Sequence, residues 1–108
     1  MVRVGGRAFG IPLTAVVEVI RMVALAAPPE GSPGLTGVLD LRGSAVPVVD
    51  VADRLGLAPQ AAVLDRRIVV TADPGGRVGL VVDGVDGVGR PGPPALDVAL
   101  GRRPATDG

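Results

Sequence analysis

The side chains best equipped for chemistry in this 108-residue chain are its carboxylates and arginines, because histidine and cysteine are both absent. The commonest general base, the thiol nucleophile and the imidazole and thiolate metal ligands are therefore missing, which removes most hydrolase and zinc chemistries. Two acidic pairs stand at short spacing, Asp50 with Asp53 and Asp83 with Asp86. Such pairs can hold a hard cation or share a proton when they converge in a cleft. Asp50 and Asp83 also close apolar runs, where a short carboxylate commonly bonds local backbone amides, and that structural use is the stronger reading. Gly84, Gly87, Gly89 and Gly92 look like a phosphate cradle, yet no helix follows to supply aligned amides, so turns explain them better. No catalytic residue, metal ligand or cofactor is assigned.

Composition narrows the partners. Eleven Arg balance eleven Asp plus Glu with no Lys, so no net field attracts polyanions. Phe9 is the only aromatic residue, which removes the stacking platform that single-strand binders use, and no nucleic acid is expected. The stretch from Thr14 to Ala27 is apolar but carries Glu18 and Arg21 near its middle, each costing about 2.5 to 3.5 kcal/mol at a bilayer centre. No membrane insertion is expected. Residues 1 to 13 lack the continuous apolar run of a signal peptide, and the absence of cysteine is compatible with a reducing compartment, so the expected location is the cytoplasm.

One domain is expected at this length, with a core of Val, Leu and Ala. That composition, with 17 Gly and 11 Pro spread along the chain, favours short strands joined by turns over long helices. The spacing predicts strands over Val2–Val4 and Ala8–Leu13 around Gly5-Gly6, then a helical turn entering a strand between Thr14 and Met22. It predicts a loop over Ala26–Pro33. Leu35–Leu41 and Ala45–Val51 form a hairpin around Arg42-Gly43-Ser44, with Pro47 placing the second strand at a sheet edge or marking a break. A helical turn from Ala52 ends at Gly56. A second hairpin pairs Arg67–Ala72 with Arg77–Asp83 around Asp73-Pro74-Gly75-Gly76. Val85–Val88 extends as a short strand and Ala95–Leu100 forms one turn. The domain is expected over residues 1–90, and residues 91–108 form a Pro-rich, poorly ordered tail.

The order of elements carries a resemblance. Phe9-Gly10-Ile11, then Val16-Val17-Glu18-Val19, then the Pro-rich loop, then the run from Gly37 through Leu41-Arg42-Gly43 to Val51, is similar to the CheW-like domain. Gly79-Leu80-Val81-Val82-Asp83-Gly84-Val85 resembles the second signature of that family at the expected distance. The combined pattern spans about Val4 to Val88. The resemblance implies an all-β fold of two small β-barrels sharing a core. It implies a non-catalytic chemotaxis adaptor that couples the signalling tip of a chemoreceptor to the regulatory domain of a histidine kinase.

Carried over by position, Val16 and Glu18 match the family's Val-x-Glu segment of partner contact, and Arg42 with Gly43 matches its Leu-Arg-Gly turn. Val82 and Val85 flank the matched Asp83-Gly84 and join the partner-binding candidates. Physically, an arginine at a hairpin tip presents a planar fork to a partner's carboxylate or carbonyls. Arg42 pairing inside its own chain, with Glu18 or Asp40, stands beside that reading, and both can hold together. Val16, Val82 and Val85 are better suited to the core than to an interface.

The family continues past its second signature with further strands and a closing helix, whereas here Pro-rich and polar residues follow Val88. The expected fold is therefore incomplete at the C-terminus, with an open edge suited to a homodimer, or else the chain is a degenerate copy. Two other classes remain: a small-ligand-binding or structural β-barrel, weakened by the shortage of aromatics, and an enzyme using carboxylates alone.

Overall fold

The computed structural model describes residues 1–31 and 33–86. Strands β1 (Val2–Val4) and β2 (Arg7–Phe9) form the opening hairpin around Gly5 and Gly6, whose φ angles of 57° and 79° favour residues without a side chain. β2 is shorter than the spacing predicts, because Pro12 has no amide to continue a ladder and the chain turns into a 3₁₀ turn over Leu13–Ala15. Strand β3 (Val16–Arg21) follows. β4 (Gly37–Leu41) and β5 (Ser44–Asp50) make the first predicted long hairpin, and β6 (Arg67–Asp73) and β7 (Gly76–Val82) the second. Between the hairpins lies the helix α1 (Val51–Leu55), which starts where Asp50 accepts the Asp53 amide at 3.3 Å and ends at Gly56 with φ 71°. A 3₁₀ turn over Val63–Asp65 precedes β6, and β8 (Gly84–Val85) closes the described chain. Val88, Ala95–Leu100 and the stretch 91–108 lie outside the described residues.

Two sheets result, one ordered β2-β1-β8 and one ordered β3-β6-β7-β5-β4. The contact of β5 with β7 is parallel and the other pairings are antiparallel. The expectation that Pro47 places β5 at an edge is corrected, since β5 lies between β7 and β4. Pro47 is tolerated for a local reason. Its partner Val38 directs both backbone groups away from β5, to Ala26 at 2.9 Å each, and the ladder to β7 begins one residue later at Val48.

The central strands β5, β6 and β7 bury both faces. On one face Val49, Val69, Val78, Leu80 and Val82 pack with Val2 and Val4 of β1. On the other, Val46, Val48, Ile68, Val70 and Val81 pack with Leu39 and Leu41 of β4, with Ile20, Met22 and Leu25 against them. A branched aliphatic removed from water in this way contributes about 1.5 to 3 kcal/mol, so these three strands carry most of the stabilisation. The second core exists because the five-stranded sheet curls on itself, until Ala26, beyond β3, pairs with Val38 on β4.

One irregularity lets β3 serve both cores. Val16 pairs with Thr71 and Glu18 with Val70, so Val17 is an extra residue, a β-bulge. Strict alternation would put Val16, Glu18 and Ile20 on one face. With the bulge, Val16 packs on the first core while Ile20, opposite Ile68, packs on the second. The all-β expectation holds, and the two cores on either side of β5, β6 and β7 give physical form to paired units that share their interior.

Candidate functional site

The β4–β5 turn has two residues, because Leu41 pairs directly with Ser44. Its central φ angles are both positive, 50° at Arg42 and 86° at Gly43. Two-residue turns of this twist match the strands they join and usually carry asparagine followed by glycine. Arg42 is the only non-glycine residue with positive φ among the described residues, in a conformation that costs a branched or long side chain about 1 to 3 kcal/mol. Two contacts hold it. Asp40 Oδ1 accepts the Gly43 amide at 2.9 Å, and Arg42 Nη2 donates to Glu18 Oε1 at 2.7 Å.

The ion pair joins opposite margins of the curled sheet, since β3 and β4 stand at its two ends. The Arg42 side chain is 72% exposed and that of Glu18 27% exposed. An exposed pair of this kind contributes at most about 1 kcal/mol to stability, so its main effect is to fix where the guanidinium sits. Of the internal partners the sequence allows for Arg42, the structure forms the pair with Glu18 and gives Asp40 to the turn amide. One face of the guanidinium fork remains directed to solvent, beside a broad trough of about 480 Å³ whose wall includes Ala24, Ala26, Asp40, Gly43 and Ala45. On β3, Val17 and Val19 expose 42% and 43% of their surface.

The remaining predicted site residues are dispersed. Glu18, Arg42 and Gly43 share one contact set, and Val16 is two residues away on β3, half-buried against the first core. Val82 is 1% exposed in that core and has no surface to present, so its place among the partner-contact candidates is corrected. Val85 is exposed but belongs to the three-stranded sheet, opposite Val2.

The acidic pairs resolve into structural contacts. Asp83 is buried; its Oδ2 accepts the amides of Gly5 at 2.8 Å and Gln60 at 3.0 Å, tying the first hairpin to the segment before β6. Its Oδ1 lies 3.9 Å from Arg66 Nε, and Arg66 Nη1 in turn reaches Asp50 Oδ2 at 3.3 Å. Asp86 pairs instead with Arg3, at 3.0 Å. Each pair lines one cavity, Asp50 with Asp53 and Asp83 with Asp86, where the contacts of Asp50, Asp83 and Asp86 are to arginines and backbone amides, and among the described residues no group of three or more acidic side chains is placed to hold a metal ion. Sequence reasoning missed Arg66 and Arg3. No local pattern marks them, because their partners lie 16 to 83 positions away.

No described helix is long and apolar enough to cross a membrane. Comparison with known proteins agrees with the geometry. The family described as "CheW-like domain" matches residues 1–105. The probable chemotaxis protein CheW of Rhizobium etli is 31% identical over 86 residues, covering 80% of this chain and 56% of that protein. The chemotaxis protein CheW of Rhizobium meliloti gives the same identity and coverage. Among solved structures, the scaffolding protein CheW of Thermoanaerobacter tengcongensis superposes with a TM-score of 0.70 at 29% identity, covering 79% of this chain and 55% of that one. The chain thus spans a little over half the length of these relatives. A match over nearly the whole chain, together with a shared arrangement of strands, establishes that this protein belongs to the CheW-like domain family.

Proposed function

We propose that the chain is a non-catalytic chemotaxis adaptor, working in the cytoplasm, that couples the signalling tip of a chemoreceptor to the regulatory domain of a histidine kinase. The observation that supports this most is the Arg42 tip. A guanidinium held in a costly backbone conformation, pinned by Glu18 and largely exposed, gains nothing for the fold that glycine would not give. Its geometry suits a partner's carboxylate or carbonyl groups, which a planar fork engages with two parallel hydrogen bonds. Glu18 fixes the fork, Gly43 lets the turn close, and Val16 and Val85 stand as secondary contacts.

The experiment is capture of the full chain by purified receptor tip and by kinase regulatory domain, each immobilised separately. Wild-type protein is expected to bind both, and Arg42→Ala or Glu18→Arg to lose at least about tenfold in affinity for one, the loss expected when a charge-assisted contact is removed. Wild-type protein that binds neither overturns the coupling reading.

Self-association is a second proposal, supported by sheet order: among the described residues β8 has β1 as its only ladder neighbour. Two copies joining along that strand would sediment as a dimer at micromolar concentration, and a stable monomer rejects the pairing.

A further inference from the structure

A cavity of about 280 Å³ opens between the first hairpin and the segment before β6, walled by Arg3, Arg7, Gln60, Asp83 and Asp86. Its carboxylates are already engaged. Asp83 Oδ2 already takes two backbone amides and its Oδ1 faces Arg66, while both oxygens of Asp86 lie within 3.3 Å of Arg3 Nε. Its donors are not. The Arg3 side chain commits only Nε, which leaves both Nη groups, and the Arg7 side chain makes no hydrogen bond or ion pair with any described residue. An arginine offers five N–H donors and no acceptor, so the wall keeps several guanidinium donors without a partner, although its two arginines and two aspartates balance in charge.

Arg3 is also held in place. Its guanidinium occupies the space where a side chain on Gly84 would stand, so that a Cβ there would collide with Nη2 and Cζ. The missing side chain of Gly84 seats the guanidinium from below, and Asp86 anchors it at Nε. Placing a donor in advance lowers the ordering cost that a flexible surface arginine brings to binding.

We propose that this cavity binds a small oxyanion, a carboxylate or a phosphate, through Arg7 and the free Nη groups of Arg3. Planar guanidinium forks match both groups, and no bond is made or broken. The site belongs to the three-stranded sheet and is independent of the Arg42 turn, so it stands or falls separately from the adaptor reading.

The test is NMR titration of the isotopically labelled full chain with sodium phosphate and, in a separate arm, with sodium acetate, both at ionic strength held constant with chloride. Saturable shifts at the amides of Gly5, Gly6, Ala8 and Gln60 are expected in at least one arm, and the arm that saturates more tightly identifies the source of the oxyanion. Arg7→Gln is expected to weaken that binding about tenfold, while Arg21→Gln, which removes an exposed arginine from β3, leaves it at the wild-type value. Gly84→Ala should weaken it by displacing Arg3; if that variant does not fold, Arg3→Gln serves the same purpose. Shifts that fail to saturate in both arms, or equal weakening by Arg7→Gln and Arg21→Gln, overturn the proposal.

Discussion

Arg42 separates stability from binding more cleanly than any other residue in the molecule. Glycine at this position relieves a backbone cost of about 1 to 3 kcal/mol and forfeits an exposed ion pair of at most about 1 kcal/mol. Arg42→Gly is therefore expected to leave the urea midpoint unchanged or raised while partner capture is lost, which equilibrium unfolding and the immobilised-partner assay read side by side. A variant that both unfolds earlier and fails to bind would show that the arginine serves the fold. Arg66 is the opposite case. It stands between Asp50 and the buried Asp83, so Arg66→Met leaves that carboxylate with two amides and no cation, and a loss of about 2 kcal/mol in unfolding free energy is expected. An unchanged urea midpoint would show that the amides alone satisfy Asp83.

At the scale of elements, β7 is the least tolerant strand. Gly79 faces the second core, where a Cβ would stand 3.0 Å from both Ile68 Cγ2 and Val48 Cγ2. Gly79→Val is expected to cost about 1 to 3 kcal/mol through overpacking, measured as a lowered denaturant midpoint; retention of wild-type stability would mean that the neighbouring strands can separate. The hairpins β4–β5 and β6–β7 were legible in the sequence because a turn is a local object: Arg42-Gly43 and Pro74-Gly75 sit between apolar runs that can only fold back. The position of Pro47 was not legible. Whether a proline harms a ladder depends on which way its partner's backbone faces, and that is decided by Ala26, far along the chain. The bulge at Val17 was equally hidden, since Val16-Val17-Glu18-Val19-Ile20 is apolar at every position but Glu18 and carries no alternation for an extra residue to break. For the same reason the Arg42–Glu18 contact was one of several choices until the curl of the sheet brought its two margins together.

At the scale of the whole molecule, the two cores cannot melt independently, because β5, β6 and β7 are common to both. Amides of Val69, Val70, Leu80 and Val81 are expected to exchange with solvent only through global unfolding, with one shared free energy, whereas those of β2 exchange through local opening. Native-state hydrogen exchange checks this; two distinct free energies for residues on opposite faces of β7 would contradict it. The bulged residue then has a consequence for how the chain tolerates length changes. β3 behaves as a phase shifter, handing its inward positions from one interior to the other at Val17. Removing that single residue would leave Val16 opposite Thr71 and Glu18 opposite Val70 in an unbroken ladder, so a one-residue deletion at Val17 should leave both interiors filled, whereas a one-residue deletion at Val19 would reverse the faces of Glu18 and Val16 and should be the worse tolerated.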